Sequence, residues 1–169
     1  MLDPYLKALD LCYFEVGEAF KGLAIENVWK RPNPRLLSVG ELAGHMAYWE
    51  AVRYAGENED GSATRDLSNC KISSPLLDNR FGYYTSTVDT GPTEKQQALT
   101  AEQVANELQR IHKAAMGYLK ERNPDMASPA PYWHSNYGDL LNYVAFHNAY
   151  HTGQMYSVRH LLGEEPPDN

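Results

Sequence analysis

Three of the six histidines in this chain stand where a helical stripe would ordinarily carry apolar residues. The positions Leu140, Val144, His147, His151, Gln154, Val158 and Leu161 step by four and three, which keeps them on one face of an α-helix. The middle of that stripe is polar, with aliphatic residues above and below it. Burying an imidazole or an amide without a partner costs about 1–3 kcal/mol per group, so the pattern calls for something that satisfies these side chains. A divalent cation does so. Residues at i and i+4 lie about 40° apart in azimuth and about 6 Å apart along the helix, and two imidazoles there can share an ion at about 2.0–2.1 Å. A third ligand has to come from another helix, and His45 lies in the stripe Leu42, His45, Trp49, Val52. The competing reading leaves out the ion: His147 and His151 hydrogen-bond instead to Asn142, Tyr143, Gln154 or buried water.

Three neutral nitrogen ligands leave coordination positions open, which is the pattern of a catalytic rather than a structural site. An ion so held can activate either a water or a small thiol. No carboxylate accompanies the histidines as a general base, unlike the glutamate of an HExxH helix, and this slightly disfavours hydrolysis. Around the triad, Gln154 is placed to orient a bound water or a ligand imidazole, or else is a buried amide satisfied by backbone, and Tyr48, Trp49 and Tyr150 are placed to crowd the chamber. Tyr83 and Trp133 lie in the two long loops, where pocket walls and lids are commonly built, although aromatic residues are also ordinary packing material. Arg53 reads either as a holder of an anionic substrate or a cofactor carboxylate, or as a surface cation at a helix end. His112 reads as a boundary residue or as a donor to one of the ligand imidazoles, His134 as a lid or surface residue, and His160 as a cation at a helix C-terminus. Cys12 and Cys70 read as inert thiols.

Four helical stretches must position these groups. The first carries the stripe Leu2, Leu6, Leu9, Tyr13, Val16, Phe20, Leu23 and closes near Trp29-Lys30-Arg31-Pro32. The second opens on the capping box Ser38-Val39-Gly40-Glu41 and ends near Gly56. A third opens on a second box at Thr100-Ala101-Glu102-Gln103 and stops before Asn123-Pro124. The fourth begins around Asn136 and ends at Gly163. The segment Glu57–Leu99 joins the second and third stretches and holds a possible short helix at Ser74–Phe81. The expectation is an all-α four-helix bundle with a long connection between helices two and three, forming one domain over residues 1–169.

Composition sets the outer bounds. The formal net charge of −7 argues against a nucleic-acid partner. No apolar run approaches the ~20 residues that span a bilayer, and the N-terminal residues lack the form of a secretory signal. With two cysteines, a disulfide scaffold is not expected either. These features point to a cytoplasmic globular domain; the open coordination positions, not the composition, point to a small-molecule substrate.

With these residues placed, the chain resembles the DinB-like (DinB/YfiT) superfamily. Ser38-Val-Gly-Glu-Leu-Ala-Gly-His45 is similar to that family's capped second helix with its first histidine. Phe146-His147-Asn-Ala-Tyr-His151-Thr-Gly-Gln154 is similar to its HxxxHxGQ-type last helix, and Trp29-Lys30-Arg31-Pro32 to the turn before helix two. The segment Glu57–Leu99 matches least. The resemblance implies a three-histidine metal site at His45, His147 and His151, with nickel or zinc as the metal, and a homodimer. Some branches of the family work with a low-molecular-weight thiol, as bacillithiol or mycothiol S-transferases or as a maleylpyruvate isomerase-like group. A metal-dependent enzyme transferring a small thiol to an electrophile is therefore the leading expectation. A non-catalytic ligand- or metal-binding module and a metal-dependent hydrolase are the alternatives.

Overall fold

Reciprocal caps start two of the long helices in the computed structural model, which describes residues 1–58, 60, 62–82 and 91–167. At the first, the Ser38 hydroxyl accepts from the Glu41 amide at 3.2 Å and the Glu41 carboxylate accepts from the Ser38 amide at 2.8 Å. Glu41 also forms an ion pair with Arg31, which ties the preceding turn to the helix start. The helices are α1 (Asp3–Phe20), α2 (Val39–Ala55), a single turn α3 (Glu94–Gln97), α4 (Ala101–Arg122) and α5 (Tyr137–Leu161). The second cap is the Thr100–Gln103 box of α4; that helix closes on Asn123 in the left-handed region, at φ 41°, followed by Pro124. A smaller box, Thr93–Gln96, opens α3, an element not expected from the sequence. Among the described residues the structure is helical, without strands.

α2 packs on α4 and α5, and α1 packs on the same two helices, so α1 and α2 face each other across a four-helix bundle. Leu9, Tyr13, Leu42, Met46, Leu108, Ile111, Leu140 and Val144 fill its interior. The ligand-bearing helices α2 and α5 are neighbours, which is what brings their histidines together. Among the described residues no helix is long and apolar enough to cross a membrane.

Three details depart from the sequence reading. The α1 stripe was extended to Leu23, but the helix ends at Phe20 because Gly22 turns left-handed at φ 69°. The α5 stripe drifts. Leu161 is 63% exposed and Gln154 only half-buried, while Thr152, Met155 and Arg159 are buried in their place. A four–three repeat follows a period of 3.5, whereas a straight helix turns once in 3.6 residues and slips about 20° per heptad. Within Ser74–Phe81 the first residues form turns and only Asn79–Gly82 is a 3-10 helix, begun by the Asp78 side chain accepting from the Arg80 amide at 2.9 Å.

The long connection has a structural task. Nearly every residue of α2 is buried, on all sides of the helix, and a helix buried all round needs more than its bundle neighbours to cover it. Ile72, Leu76 and Phe81 of the connection supply that cover. Phe81 sits so close that a Cβ added at Gly44 would lie 2.4 Å from its ring, and one added at Gly40 would lie 2.6 Å from the Trp29 ring. Two glycines one turn apart thus make the groove into which these aromatic rings lock.

Candidate metal centre

His45 projects from α2, and His147 and His151 project from successive turns of α5. Nε2 of His147 lies 3.2 Å from Nε2 of His45 and 3.1 Å from Nε2 of His151. All three ligand atoms fall within 4.8 Å of one another. His147 and His151 are buried, and His45 is partly buried. Tetrahedral ligands at about 2.05 Å from a common ion stand about 3.3 Å apart, so two of the separations already match a shared cation.

The outer nitrogens decide what the inner ones can do. Nδ1 of His45 lies 2.7 Å from the Phe81 carbonyl oxygen, and Nδ1 of His151 lies 2.7 Å from Oε1 of Gln154. Gln154 is fixed in this orientation by its amide nitrogen, which donates to the Tyr150 hydroxyl at 3.1 Å. Carbonyl oxygens only accept, so in both rings Nδ1 carries the proton and Nε2 presents a lone pair. Two lone pairs therefore point at His147 Nε2, which has one hydrogen to offer at most. A cation at the meeting point satisfies all three nitrogens at once, and the donor set fits a borderline-soft divalent ion.

Electrostatics keep the rings neutral. Burial lowers the His147 pKa to about 2, with the neighbouring His151, Arg53 and His45 adding to the effect. Burial likewise lowers His45 to about 4, against the opposing pull of the Phe81 carbonyl. His151 is lowered as well, for the same first reason. Neutral imidazoles are the form that binds metal.

Comparison with known families settles the relationship. The DinB superfamily pattern matches residues 8–155. The chain belongs to the DinB superfamily. No curated protein and no solved structure matches it. For this DinB-superfamily chain the buried histidine triad fits a metal-binding role.

A cavity of about 310 Å³ opens beside His45 and His147, bounded also by Trp49, Arg53, Tyr132 and Tyr143. Trp49 donates from its indole nitrogen to the Gly82 carbonyl at 3.0 Å and presents its ring to the cavity. Arg53 is buried, its guanidinium carbon lying 4.7 Å from the centre of the Trp49 ring. Trp133 reaches the same cavity from the loop before α5, mostly exposed, with its ring 4.8 Å from that of Tyr143. Tyr48 stands behind this wall, buried, its hydroxyl donating to the Arg65 carbonyl. Tyr150 stands on the solvent side of His151, 53% exposed. Tyr83 lies outside the described residues.

Several participants escaped the sequence reading. Tyr143, considered in the sequence only as a hydrogen-bond partner of the histidines, lies one turn before His147 on α5 and lines the cavity. The Phe81 carbonyl is a backbone group and carries no sequence signal. His134, read as a lid or surface residue, is 8% exposed and lines the cavity. His112, read as a boundary residue, is buried on the far side of α2. Its Nδ1 lies 2.6 Å from Glu50 Oε1 and its ring stacks on Tyr13 at 3.7 Å.

Proposed function

We propose that this protein is a cytoplasmic metal-dependent enzyme that joins a small thiol to an electrophilic small molecule, with nickel or zinc held by His45, His147 and His151. The observation that carries the proposal is the convergence of two forced lone pairs and a third imidazole nitrogen at the wall of an open cavity. Bound there, a divalent ion supplies a thiol nucleophile at neutral pH by lowering the thiol's pKa. Phe81 and Gln154 hold two of the rings in register. Trp49 and Tyr143 give the chamber an aromatic wall beside the histidines. In the reaction the S–H bond breaks and a C–S bond forms. On an activated alkene the π bond breaks and the proton ends on the neighbouring carbon. On an aryl chloride the C–Cl bond breaks, and chloride and the proton pass to solvent. Neither case requires an oxidant or reductant. Among the described residues the cavity lining contains no carboxylate to serve as a general base, which favours thiol transfer over hydrolysis.

The test is metal analysis followed by a conjugation screen of several small thiols against a generic electrophile such as 1-chloro-2,4-dinitrobenzene. Stoichiometric metal, lost in His147→Ala, together with metal-dependent conjugation supports the proposal. Stoichiometric metal with no conjugation transfers the case to a non-catalytic binding module. The proposal extends to a homodimer: Leu11 and Phe14 on α1 and Phe146 and Tyr150 on the adjacent α5 are all more than half exposed, apolar surface of the kind a second copy covers. A monomeric mass in light scattering at micromolar concentration removes that part.

A further inference from the structure

The cavity beside the triad carries the opposite charge to the rest of the chain. The protein has a net charge of −7, yet Arg53 and Arg65 both line this wall and, among the described residues, no Asp or Glu does. Arg53 is 6% exposed. A guanidinium cannot shed its charge inside a protein, and a buried charge is costly unless it is paired. No carboxylate pairs with Arg53 among the described residues, and its Nε is buried without a hydrogen-bond partner. Glu50, three residues earlier on α2, is taken up by His112. Two aromatic rings partly offset the cost: the guanidinium carbon lies over Trp49 at 4.7 Å and over Tyr143 at 5.4 Å.

A second unpartnered group belongs to the same wall. His134 is 8% exposed, its Nε2 is buried without a partner, and its ring lies against Trp133 and Tyr143. Two buried polar groups that lack partners and line one cavity are what a ligand-binding site presents before its ligand arrives. We infer that the cavity takes a small, planar organic carboxylate, gripped at the edge of Arg53 with Nε2 of His134 as a neighbouring donor. The rings over the guanidinium leave its coplanar N–H edge for binding, and a planar carboxylate matches that edge with two parallel hydrogen bonds. A volume of about 310 Å³ is room enough for a molecule the size of a substituted benzoate. The role of this carboxylate as the electrophile rests on the thiol-transfer reading; its binding does not.

The experiment titrates metal-replete protein with benzoate, with the uncharged isostere benzamide and with inorganic phosphate, using the fluorescence of Trp49 and Trp133 and calorimetry as readouts. Benzoate is expected to bind at least about tenfold more tightly than benzamide and to resist displacement by phosphate. Arg53→Met is expected to weaken benzoate about 10- to 100-fold while metal content stays at the wild-type level. Arg53→Lys, which keeps the charge and loses the fork, is expected to fall between the two; if Arg53→Met does not fold, this variant and the benzoate–benzamide pair decide. Equal affinity for benzamide, undiminished benzoate binding in Arg53→Met, or tighter binding of phosphate each overturns the inference. The same titration in His147→Ala separates the two readings. Arg53-dependent benzoate binding in a protein that never holds metal leaves the carboxylate site standing and removes the metal enzyme. Full metal occupancy with no benzoate binding does the reverse.

Discussion

Nδ1 of His45 donates a hydrogen bond to the carbonyl oxygen of Phe81, 2.7 Å away and thirty-six residues along the chain. The bond fixes the His45 tautomer and exists only because Gly44, the residue before His45, leaves room for the Phe81 ring. Position 44 is therefore linked to the metal centre without touching it. Gly44→Ala must push the ring away from α2, at about 1–3 kcal/mol for an overpacked contact. It should also lower metal affinity about 10- to 100-fold, the usual cost of losing the partner of a ligand imidazole. Metal titration monitored by calorimetry checks this, and wild-type affinity in a folded Gly44→Ala protein contradicts the linkage.

Removing the ion should soften the fold without abolishing it. An ion that binds only the native state, present at about a thousandfold over its Kd, contributes about 4 kcal/mol, or about 10 °C in a domain of this size. Thermal melts before and after chelation, with metal removal verified, are the measurement. His147→Ala should melt near the chelated wild type and show no response to added metal.

Acid should destabilise the metal-free protein over a defined range. His45 and His147 have folded-state pKa values of about 4 and about 2, both below the ordinary value of 6.5, because burial disfavours their charged forms. The unfolded chain thus takes up protons first as pH falls. Stability is fully present above pH 6.5, falls by up to about 1.4 kcal/mol per pH unit for each such group below it, and stops falling on account of His45 near pH 4. Urea midpoints measured from pH 7.5 to 4 on metal-free protein should show this decline. A flat profile in that range excludes neutral, buried imidazoles.

Arg159 predicts an effect far from the site. It is 1% exposed, and its Nη1 donates to the carbonyls of Ala19 and Lys21 at 2.9 Å while its Nε bonds to Glu164. Glu164 in turn accepts from Asn27 and from the Ala24 amide. This clasp satisfies carbonyls where α1 ends. Arg159→Met takes the donor from Glu164 Oε2 and from two carbonyls and should cost about 3 kcal/mol with metal affinity unchanged. Denaturant midpoints and a metal titration together test the separation.

The sequence announced those parts of this molecule that depend on neighbours along one helix. The Ser38 and Thr100 caps, the α5 histidine pair and its Gln154 partner all follow from offsets of three and four residues. His45 was placed because it fell among Leu42, Trp49 and Val52. Contacts between distant segments were not legible. Nothing adjacent to Phe81 marks its carbonyl as a partner for His45, and nothing near Glu50 announces that His112 will engage it and leave Arg53 unpaired. His134 looked like a loop residue because its burial comes from Trp133 and Tyr143 folding over it. The drift of the α5 stripe toward Met155 and Arg159 follows from the difference between 3.5 and 3.6 residues per turn, which becomes visible only over a helix as long as α5.

His45 and His147 are separated by 102 positions in the chain, and aliphatic side chains such as Leu42, Leu140 and Val144 are buried along the two helices that carry them. If that aliphatic interior forms without the ion, a cation would meet a finished berth, and its loading should follow simple one-step binding kinetics, uncoupled from folding.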